Sequence, residues 1–411
     1  MTTMSTPVDA QPAEQPSRQA GFAPTRPRIA SLDVIRGAVM VLMAIDHVRV
    51  YSGVPPGGPT AGVFLTRWVT HFCAPAFVFL AGTAAFLYAR RARDPRAVSQ
   101  FLLTRGIWLI LLELTVLRIG WTFNFDYSTY LLAGVIWMIG WCLVLMAVLS
   151  RLPLGVVGVI GVAMIGLHDL TDLVPRATFG PVLQSGAGWF WRLLYFGGPI
   201  ELVTGGPTMA VLYSIVPWVG VMAAGWAFGA VFDLDPARRR RICLMIGTVA
   251  VAAFLVLRGF DLYGAPRPWQ GAQGVPGWIA FLGTTKYPAS LLFLLMTLGP
   301  TILLVPLLEQ ARGPVANALA VFGRVPFFYY LLHIPLIHLL AIGVAAIRSP
   351  GALPWLFDDH PMMMAPAPEG YRWSLPLLYA VFAVAVGLLY FPCRWFAGLK
   401  ALRSDRWLSY L

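Results

Sequence analysis

The chain is dominated by ten apolar runs, each close to the length of a helix that crosses a bilayer. They cover about 29–51, 66–89, 98–119, 128–150, 153–170, 208–231, 239–258, 288–308, 326–347 and 374–396. A spanning helix needs about 20 apolar residues, because the hydrocarbon core is about 30 Å thick. Hydrophobic residues fill 58% of the 411 positions and charged residues only 12%, with a mean hydropathy of +0.72. The pattern predicts an all-α, polytopic membrane bundle of about 10 transmembrane helices.

The basic residues indicate how this bundle is oriented. Ten spans place both termini on one side, and if that side is the cytoplasm it collects 20 of the 30 Lys and Arg residues. The positive-inside rule therefore predicts a multi-pass protein of the cytoplasmic (inner) membrane with both termini in the cytoplasm. Residues 1–28 are rich in Pro, Ala, Gln, Ser and Thr. They are expected to form a disordered cytoplasmic tail, and 29–411 a single transmembrane domain.

The net charge of +12 has a topological explanation. The run of four arginines at 238–241 lies between two apolar spans, so it indicates affinity for anionic lipid headgroups and no nucleic-acid partner. The four cysteines fall in different spans without CxxC or Cys–His spacing. Neither a disulfide framework nor a metal site is therefore expected.

The first span, IASLDVIRGAVMVLMAIDHVRVY, carries two polar residues on one face. Eleven steps of about 100° return His47 to within about 20° of Arg36, and the two lie about 16 Å apart along the axis. A cation near one membrane surface and a titratable ring near the other are unfavourable in lipid. They require a lumen, a partner or a ligand.

His71 lies about five residues into the second span, at the same predicted depth as His47. Because a short loop joins the two helices, both imidazoles are expected to face one chamber, with Asp46 beside His47. Imidazole acts as nucleophile, base or acid near neutral pH. The alternative is that each histidine only caps a helix end in the headgroup region. In the ninth span, His333 falls in the inner third and is expected to line a cofactor path.

Four motifs resemble one family of membrane enzymes. In chain order they are SLDVIRGAVMVLMAIDHVRVY, HFCAPAFVFLAGTAAFL, TKYPASLLFLLMTLGP and FGRVPFFYYLLHIPLIHLL. They are similar to motifs of the transmembrane acyltransferase superfamily, which includes the acyltransferase-3 proteins and the heparan-alpha-glucosaminide N-acetyltransferase family. The closest resemblance is to bacterial membrane proteins with the catalytic domain of the latter. In the heparan-type enzymes an active-site histidine precedes the second span, whereas residues 52–70 contain none here.

The resemblance implies transfer of an acyl group, most simply acetyl, from cytoplasmic coenzyme A to a hydroxyl or amine acceptor beyond or within the membrane. Arg36 matches the arginine of the acyltransferase-3 motif and His47 its histidine. Arg36, with Arg105 or Arg324, would hold the phosphates of acetyl-CoA. His47 would act as base or accept the acyl group itself, and His71 or Asp46 would orient it.

Other interpretations remain open from the sequence. A secondary transporter or permease would also place His, Glu and Arg in a helical bundle, although its usual marks are broken helices and inverted repeats. A scaffold without chemistry would use Arg36 and His47 only as anchors. The aromatic outer segment GWFWRLLYFGGPIE suits a glycan acceptor or an ordinary interfacial aromatic belt. The oligomeric state is open, and a homo-oligomer is compatible with the sequence.

Overall fold

The computed structural model describes residues 29–92, 94–174, 176–357, 365–403, 405 and 408. The predicted tail at 1–28 lies outside these residues. The α-helices are α1 (Ala30–Tyr51), α2 (Ala61–Trp68), α3 (Cys73–Ala92), α4 (Pro95–Leu112), α5 (Arg118–Thr122), α6 (Val135–Leu149), α7 (Leu154–Leu167), α8 (Arg176–Gln184), α9 (Gly188–Trp191), α10 (Trp218–Phe228), α11 (Pro236–Gly259), α12 (Gly277–Leu282), α13 (Leu291–Leu307), α14 (Pro314–Arg324), α15 (Pro326–Arg348), α16 (Leu353–Phe357) and α17 (Leu375–Leu402).

Several helices are joined by short turns of other helical types. The 3₁₀ turns are Val69–Phe72, His168–Leu173, Gly229–Asp233 and Pro350–Ala352, and the π turns are Glu113–Leu117 and Arg192–Phe196. The three strands are β1 (Tyr130–Ala133), β2 (Gly198–Glu201) and β3 (Thr208–Val211), in the order β1-β3-β2. Strand β3 pairs parallel with β1 and antiparallel with β2.

The all-α membrane architecture is confirmed, and each of the ten apolar runs contains a helix. By length and composition, five described helical segments suit a membrane crossing: Ala61–Ala92, Leu154–Leu173, Pro236–Gly259, Pro326–Arg348 and Leu375–Leu402. Three shorter apolar helices accompany them: Val135–Leu149, Trp218–Asp233 and Leu291–Leu307. The predicted starts of two membrane-spanning helices were wrong. The runs at 128–150 and 208–231 begin with strands β1 and β3, because backbone pairing competes with helix formation there.

Helix α1 lies at the centre of the bundle and packs against α3, α13, α14, α15 and α17. Two glycines bring α14 against its first half. A Cβ on Gly37 would lie 1.8 Å from the carbonyl oxygen of Leu319, and one on Gly323 would lie 1.8 Å from that of Asp33. Only glycine allows such backbone contact, as in other membrane helix pairs with small residues at the interface.

Two buried carboxylates cap helices at the ends of the bundle. Oε2 of Glu113 accepts hydrogen bonds from the backbone N–H groups of Ile136 (2.8 Å) and Trp137 (3.1 Å) at the start of α6. Oδ2 of Asp169 accepts one from the N–H of Leu291 (2.6 Å) at the start of α13. Free N–H groups and the helix dipole stabilise an anion at each position. The start of α6 thus supplies the buried carboxylate of Glu113 with its hydrogen-bond partners.

Helix α15 runs parallel to α1 with a constant offset. His333 contacts His47, and the ring of His338 stacks on that of Tyr51, 4.7 Å between centroids. The offset of 286 or 287 residues in both pairs places Pro326, the first residue of α15, level with about Met40. A histidine one third of the way along α15 therefore meets one near the end of α1.

Candidate active site

The closest pair of titratable side chains on α1 and α15 is His47 with His333. Nδ1 of His47 lies 2.6 Å from Nε2 of His333, and the rings stack with centroids 4.8 Å apart. Both residues are buried: His333 is fully inaccessible to solvent, and His47 is 9% exposed. The sequence placed His333 on a cofactor path in the inner third of its span. That expectation of depth was wrong, because the offset between α15 and α1 brings His333 level with His47.

The hydrogen bonds around His333 fix which nitrogens carry protons. Nδ1 of His333 lies 2.7 Å from the carbonyl oxygen of Tyr330 and 3.2 Å from that of Tyr329. A carbonyl oxygen only accepts, so Nδ1 of His333 must hold the proton and its Nε2 is the acceptor when the ring is neutral. His47 then donates from Nδ1. The second nitrogen of His47, Nε2, is left with its lone pair as the basic atom of the pair.

Aromatic rings enclose the pair. The ring of Trp121 meets that of His47 edge-on at 4.8 Å, and Tyr330 does so at 6.4 Å. The hydroxyl of Tyr51 donates to the carbonyl oxygen of Trp121 (2.5 Å), which ties the end of α1 to α5. Nε2 of His47 makes no hydrogen bond within the described residues, so it is available to a substrate proton.

No hydrogen bond or ring contact joins His71 to His47 within the described residues. The ring of His71 packs edge-on against Phe293 of α13, 5.4 Å between centroids. Nδ1 of His71 is buried and has no hydrogen-bond partner among the described residues. The histidine in direct contact with His47 is therefore His333, and a chamber shared by His47 and His71 stays a prediction. The matched depth of the two helix ends did not fix the direction of either ring.

Asp46 is held by two arginines. Its Oδ1 accepts from Nε of Arg49 at 2.8 Å, and its Oδ2 accepts from Nη1 of Arg67. Nη1 of Arg49 also donates to the carbonyl oxygen of Val54 (3.1 Å). The carboxylate is thus engaged by guanidinium groups, and His333 makes the hydrogen bond to His47 that was expected of Asp46.

Four residues near Asp46 were not singled out from the sequence. Lys286 places its ammonium 5.6 Å from the ring centroid of Tyr213 and 5.2 Å from that of Tyr287. The Tyr287 and Tyr213 hydroxyls lie 3.3 Å apart. With Arg67 these groups form a polar wall whose charges act on both His47 and His71. Lys286 and Tyr287 lie in the motif TKYPASLLFLLMTLGP, and Arg67 lies four residues before the motif HFCAPAFVFLAGTAAFL, so their positions next to these motifs were a usable signal.

The arginines expected to bind a phosphate lie at the other end of α1. Nη2 of Arg36 donates to the carbonyl oxygen of Leu80 (3.3 Å), and Nη1 lies 3.6 Å from Asp33. Arg324 is exposed and follows Gly323, which touches the backbone of Asp33. Arg36 and Arg324 thus approach the same turn of α1.

Arg105 lies elsewhere. Its guanidinium carbon is 6.0 Å from the ring centroid of Phe101, and Phe101 stacks at 4.2 Å on Tyr88 of α3. Tyr88 is eight residues beyond Leu80, about 12 Å further along α3. Arg324 is thus next to a residue in contact with the Arg36 turn of α1, whereas Arg105 contacts Phe101 of its own helix, α4.

A buried histidine pair on two parallel helices of a polytopic bundle is the kind of site that a membrane-embedded acid–base enzyme requires. A model of the heparan-alpha-glucosaminide N-acetyltransferase catalytic family matches residues 28–263. This match covers more than half of the chain, and the chain belongs to that family. The resemblance is thereby confirmed for this family, while the relation to the acyltransferase-3 proteins stays a prediction. No curated protein matches the chain.

The matched region includes Arg36, His47, His71 and Arg105 and ends before Lys286 and His333. Family membership places the chain among membrane acyltransferases. The pairing of His47 with His333 is a feature of this structure, because His333 lies outside the matched residues.

Proposed function

We propose that this protein transfers an acyl group, most simply acetyl, from acyl-CoA on the cytoplasmic side to a hydroxyl or amine acceptor at the outer side of the inner membrane. The observation that carries the proposal is the hydrogen bond from His47 to His333, which leaves Nε2 of His47 as a free basic nitrogen in a buried site. The family match supports acyl transfer as the reaction.

The chemistry assigned to His47 is proton transfer. Nε2 takes the proton of the acceptor O–H or N–H while that atom attacks the thioester carbonyl. The carbon–sulfur bond then breaks, and the imidazolium returns the proton to the departing thiolate. His333 holds the ring in the correct tautomer, as the third group of a catalytic triad does. A two-step route, with the acyl group carried on His47 itself, uses the same nitrogen.

The donor is proposed to lie along the face of α1 that joins Arg36 to His47. Arg36 and the exposed Arg324 would hold its phosphates, because guanidinium groups form paired hydrogen bonds with phosphate oxygens. Between Arg36 and His47 this face carries Met40 and Met43, both buried. Methionine is unbranched and adapts its shape readily, so these two side chains suit a face along which a slender uncharged arm must pass.

A direct assay tests the proposal. Purified protein in lipid nanodiscs is incubated with acetyl-CoA labelled with ¹⁴C in the acetyl group, and free acetate and protein-bound label are measured. We expect slow hydrolysis or self-acetylation by the wild-type protein, and its loss in His47→Ala with retained donor binding. Arg36→Gln is expected to weaken donor binding instead.

The matched control is Arg312→Gln, which removes an exposed cation from the connection between α13 and α14. It should leave donor binding unchanged. Folded wild-type protein that neither binds nor consumes acetyl-CoA would contradict the proposal. The transporter interpretation would then become the leading one, to be examined by uptake into proteoliposomes.

A further inference from the structure

A cluster of three cations and one carboxylate lies at the C-terminal end of α1. Within the described part of the chain it consists of Asp46, Arg49, Arg67 and Lys286, and we refer to it as the cationic cluster. The side chains of Asp46, Arg49 and Arg67 are only 15%, 10% and 11% exposed. One carboxylate serves two guanidinium groups, so the cluster carries an excess of two positive charges.

Lys286 contributes a cation that forms no direct ion pair with a carboxylate of the described residues, although the charge of Asp46 acts on it. Its ammonium lies over the rings of Tyr213 and Tyr287 and makes no ion pair or hydrogen bond with any described residue. Half-buried charges of one sign in a membrane protein are unfavourable unless an anion joins them. Lysine and arginine at such a position are typical phosphate ligands.

An apolar crevice of about 260 Å³ adjoins the part of α1 that precedes this cluster in the chain. It lies between α1, α13 and the turn Val69–Phe72, and it is lined by Ile35, Ala38, Val39, Leu42, Val69, Phe72, Thr301, Leu304 and Leu308. Leu304 at its rim is 42% exposed on an apolar helix. The crevice therefore opens sideways, in the direction in which a bundle of this class meets lipid tails.

The crevice and the cationic cluster are continuous along two elements. Asp46 lies one helical turn beyond Leu42 on the same face of α1. Val69 and Phe72 lie in the same turn as His71, whose buried Nδ1 has no partner in the described structure. The apolar crevice thus ends at the cationic cluster, and Nδ1 of His71, unpaired among the described residues, lies beside this end.

We propose that this crevice and cluster bind an anionic lipid, with the phosphate on Lys286 and Arg67 and a hydrocarbon chain between α1 and α13. The acceptor of the proposed acyl transfer would then be a lipid-linked group with a phosphate. This role rests on the proposed function, whereas the binding site itself does not. Charge complementarity selects the anionic headgroup, and the apolar lining selects a lipid over a soluble phosphate.

The binding experiment needs no acyl donor. Purified protein in detergent is titrated with dioleoyl phosphatidylglycerol or dioleoyl phosphatidylcholine, and bound lipid is counted by native mass spectrometry. We expect the anionic lipid to bind about tenfold more tightly, and Lys286→Gln to remove that preference. Lys286→Arg should retain it. The control Arg372→Gln removes an exposed cation of the same predicted side and should have no effect.

A second variant tests the crevice. Ala38→Phe places a ring among the lining residues and should weaken binding of phosphatidylglycerol several-fold without changing the headgroup preference. Equal binding of both lipids by wild-type protein, or competition by glycerol phosphate at the same concentration, would overturn the proposal. Lipid binding without consumption of acetyl-CoA would keep the lipid site and contradict its acceptor role. Acetyl-CoA consumption without a lipid preference would contradict the lipid site alone.

Discussion

His47 obtains its chemistry from the proton on Nδ1 of His333. The carbonyl oxygens of Tyr329 and Tyr330 accept that proton, so Nε2 of His333 accepts a hydrogen bond from Nδ1 of His47. Nε2 of His47 then keeps its lone pair. The two carbonyl oxygens belong to the backbone, so any residues at positions 329 and 330 would supply them. The arrangement therefore depends on the position of α15 relative to α1 more than on the identity of nearby side chains.

The role of His333 as a positioning residue predicts a graded loss of activity. In His333→Phe nothing accepts the Nδ1 proton of His47, so acyl transfer should fall about 100-fold or more in kcat, with little change in KM for the donor. His333→Gln provides an amide oxygen that accepts this proton and should recover part of the rate. The measurement is steady-state kinetics with labelled acetyl-CoA.

The control for His333 lies on the same helix. His338 is equally buried and donates to the carbonyl oxygen of Leu356 (2.8 Å), while its ring stacks between Tyr51 and Phe123. His338→Phe preserves this stacking and should lower thermal stability without a specific loss of kcat. Equal losses of kcat in His333→Phe and His338→Phe would show that both act only through packing.

Tyr287 reports the positive field of the cationic cluster. Burial raises the pKa of its hydroxyl, but Lys286 and Arg67 more than offset this and lower the pKa to about 8. Since the folded-state pKa is lowered, ionisation favours the folded protein as the pH rises above 8, and this contribution is lost as the pH falls through 8. Ultraviolet absorption should show one tyrosinate forming near pH 8, absent in Tyr287→Phe and shifted upward in Lys286→Gln. A titration with no component below pH 9 would contradict this account.

At the scale of helices, the backbone contact between α1 and α14 holds the Arg36 end of the site. Gly37→Ala would put a Cβ 1.8 Å from the carbonyl oxygen of Leu319, which is backbone and cannot move aside alone. We expect a loss of about 1–3 kcal/mol in unfolding free energy. Gly343→Ala is the control, because nothing lies within 4 Å of its Cβ. That substitution should be neutral or stabilise α15 by about 0.5–1 kcal/mol. Thermal unfolding in detergent measures both, and similar midpoints for the two variants would contradict the close contact.

The face between Arg36 and His47 also predicts an effect of side-chain stiffness. Replacing Met40 and Met43 together by isoleucine keeps the face apolar and of similar volume but removes the flexible thioether chains. We expect kcat/KM for acetyl-CoA to fall several-fold while the midpoint of thermal unfolding changes little. Met245→Ile makes the same replacement at an exposed position of α11 and serves as the control. Unchanged kcat/KM in the double variant would place the donor on a different path.

For the molecule as a whole, the sequence predicted the helices well and the contacts between side chains poorly. Each of the ten apolar runs contains a helix, and five helical segments suit a membrane crossing by length and composition, because the thickness of a bilayer sets a strong and simple condition. Hydrophobic length did not predict that α15 is displaced along α1, and so it paired His47 with His71 and placed His333 elsewhere. Helix offsets follow from contacts such as Gly37 on Leu319, which no periodicity in the sequence reveals.

The predicted orientation of the whole bundle gives the sidedness of the reaction, and labelling can test it. The native cysteines Cys73, Cys142, Cys243 and Cys393 are all buried, so the background reaction of a membrane-impermeant maleimide should be low. Ala272 and Arg312 are exposed at opposite ends of the bundle in the predicted topology. Ala272→Cys should react in intact spheroplasts, and Arg312→Cys only after the membrane is permeabilised. The reverse pattern would place both termini outside and would move the arginines proposed to hold the donor away from cytoplasmic acyl-CoA. Reaction of both variants in intact spheroplasts would contradict the single predicted span, 288–308, that separates them.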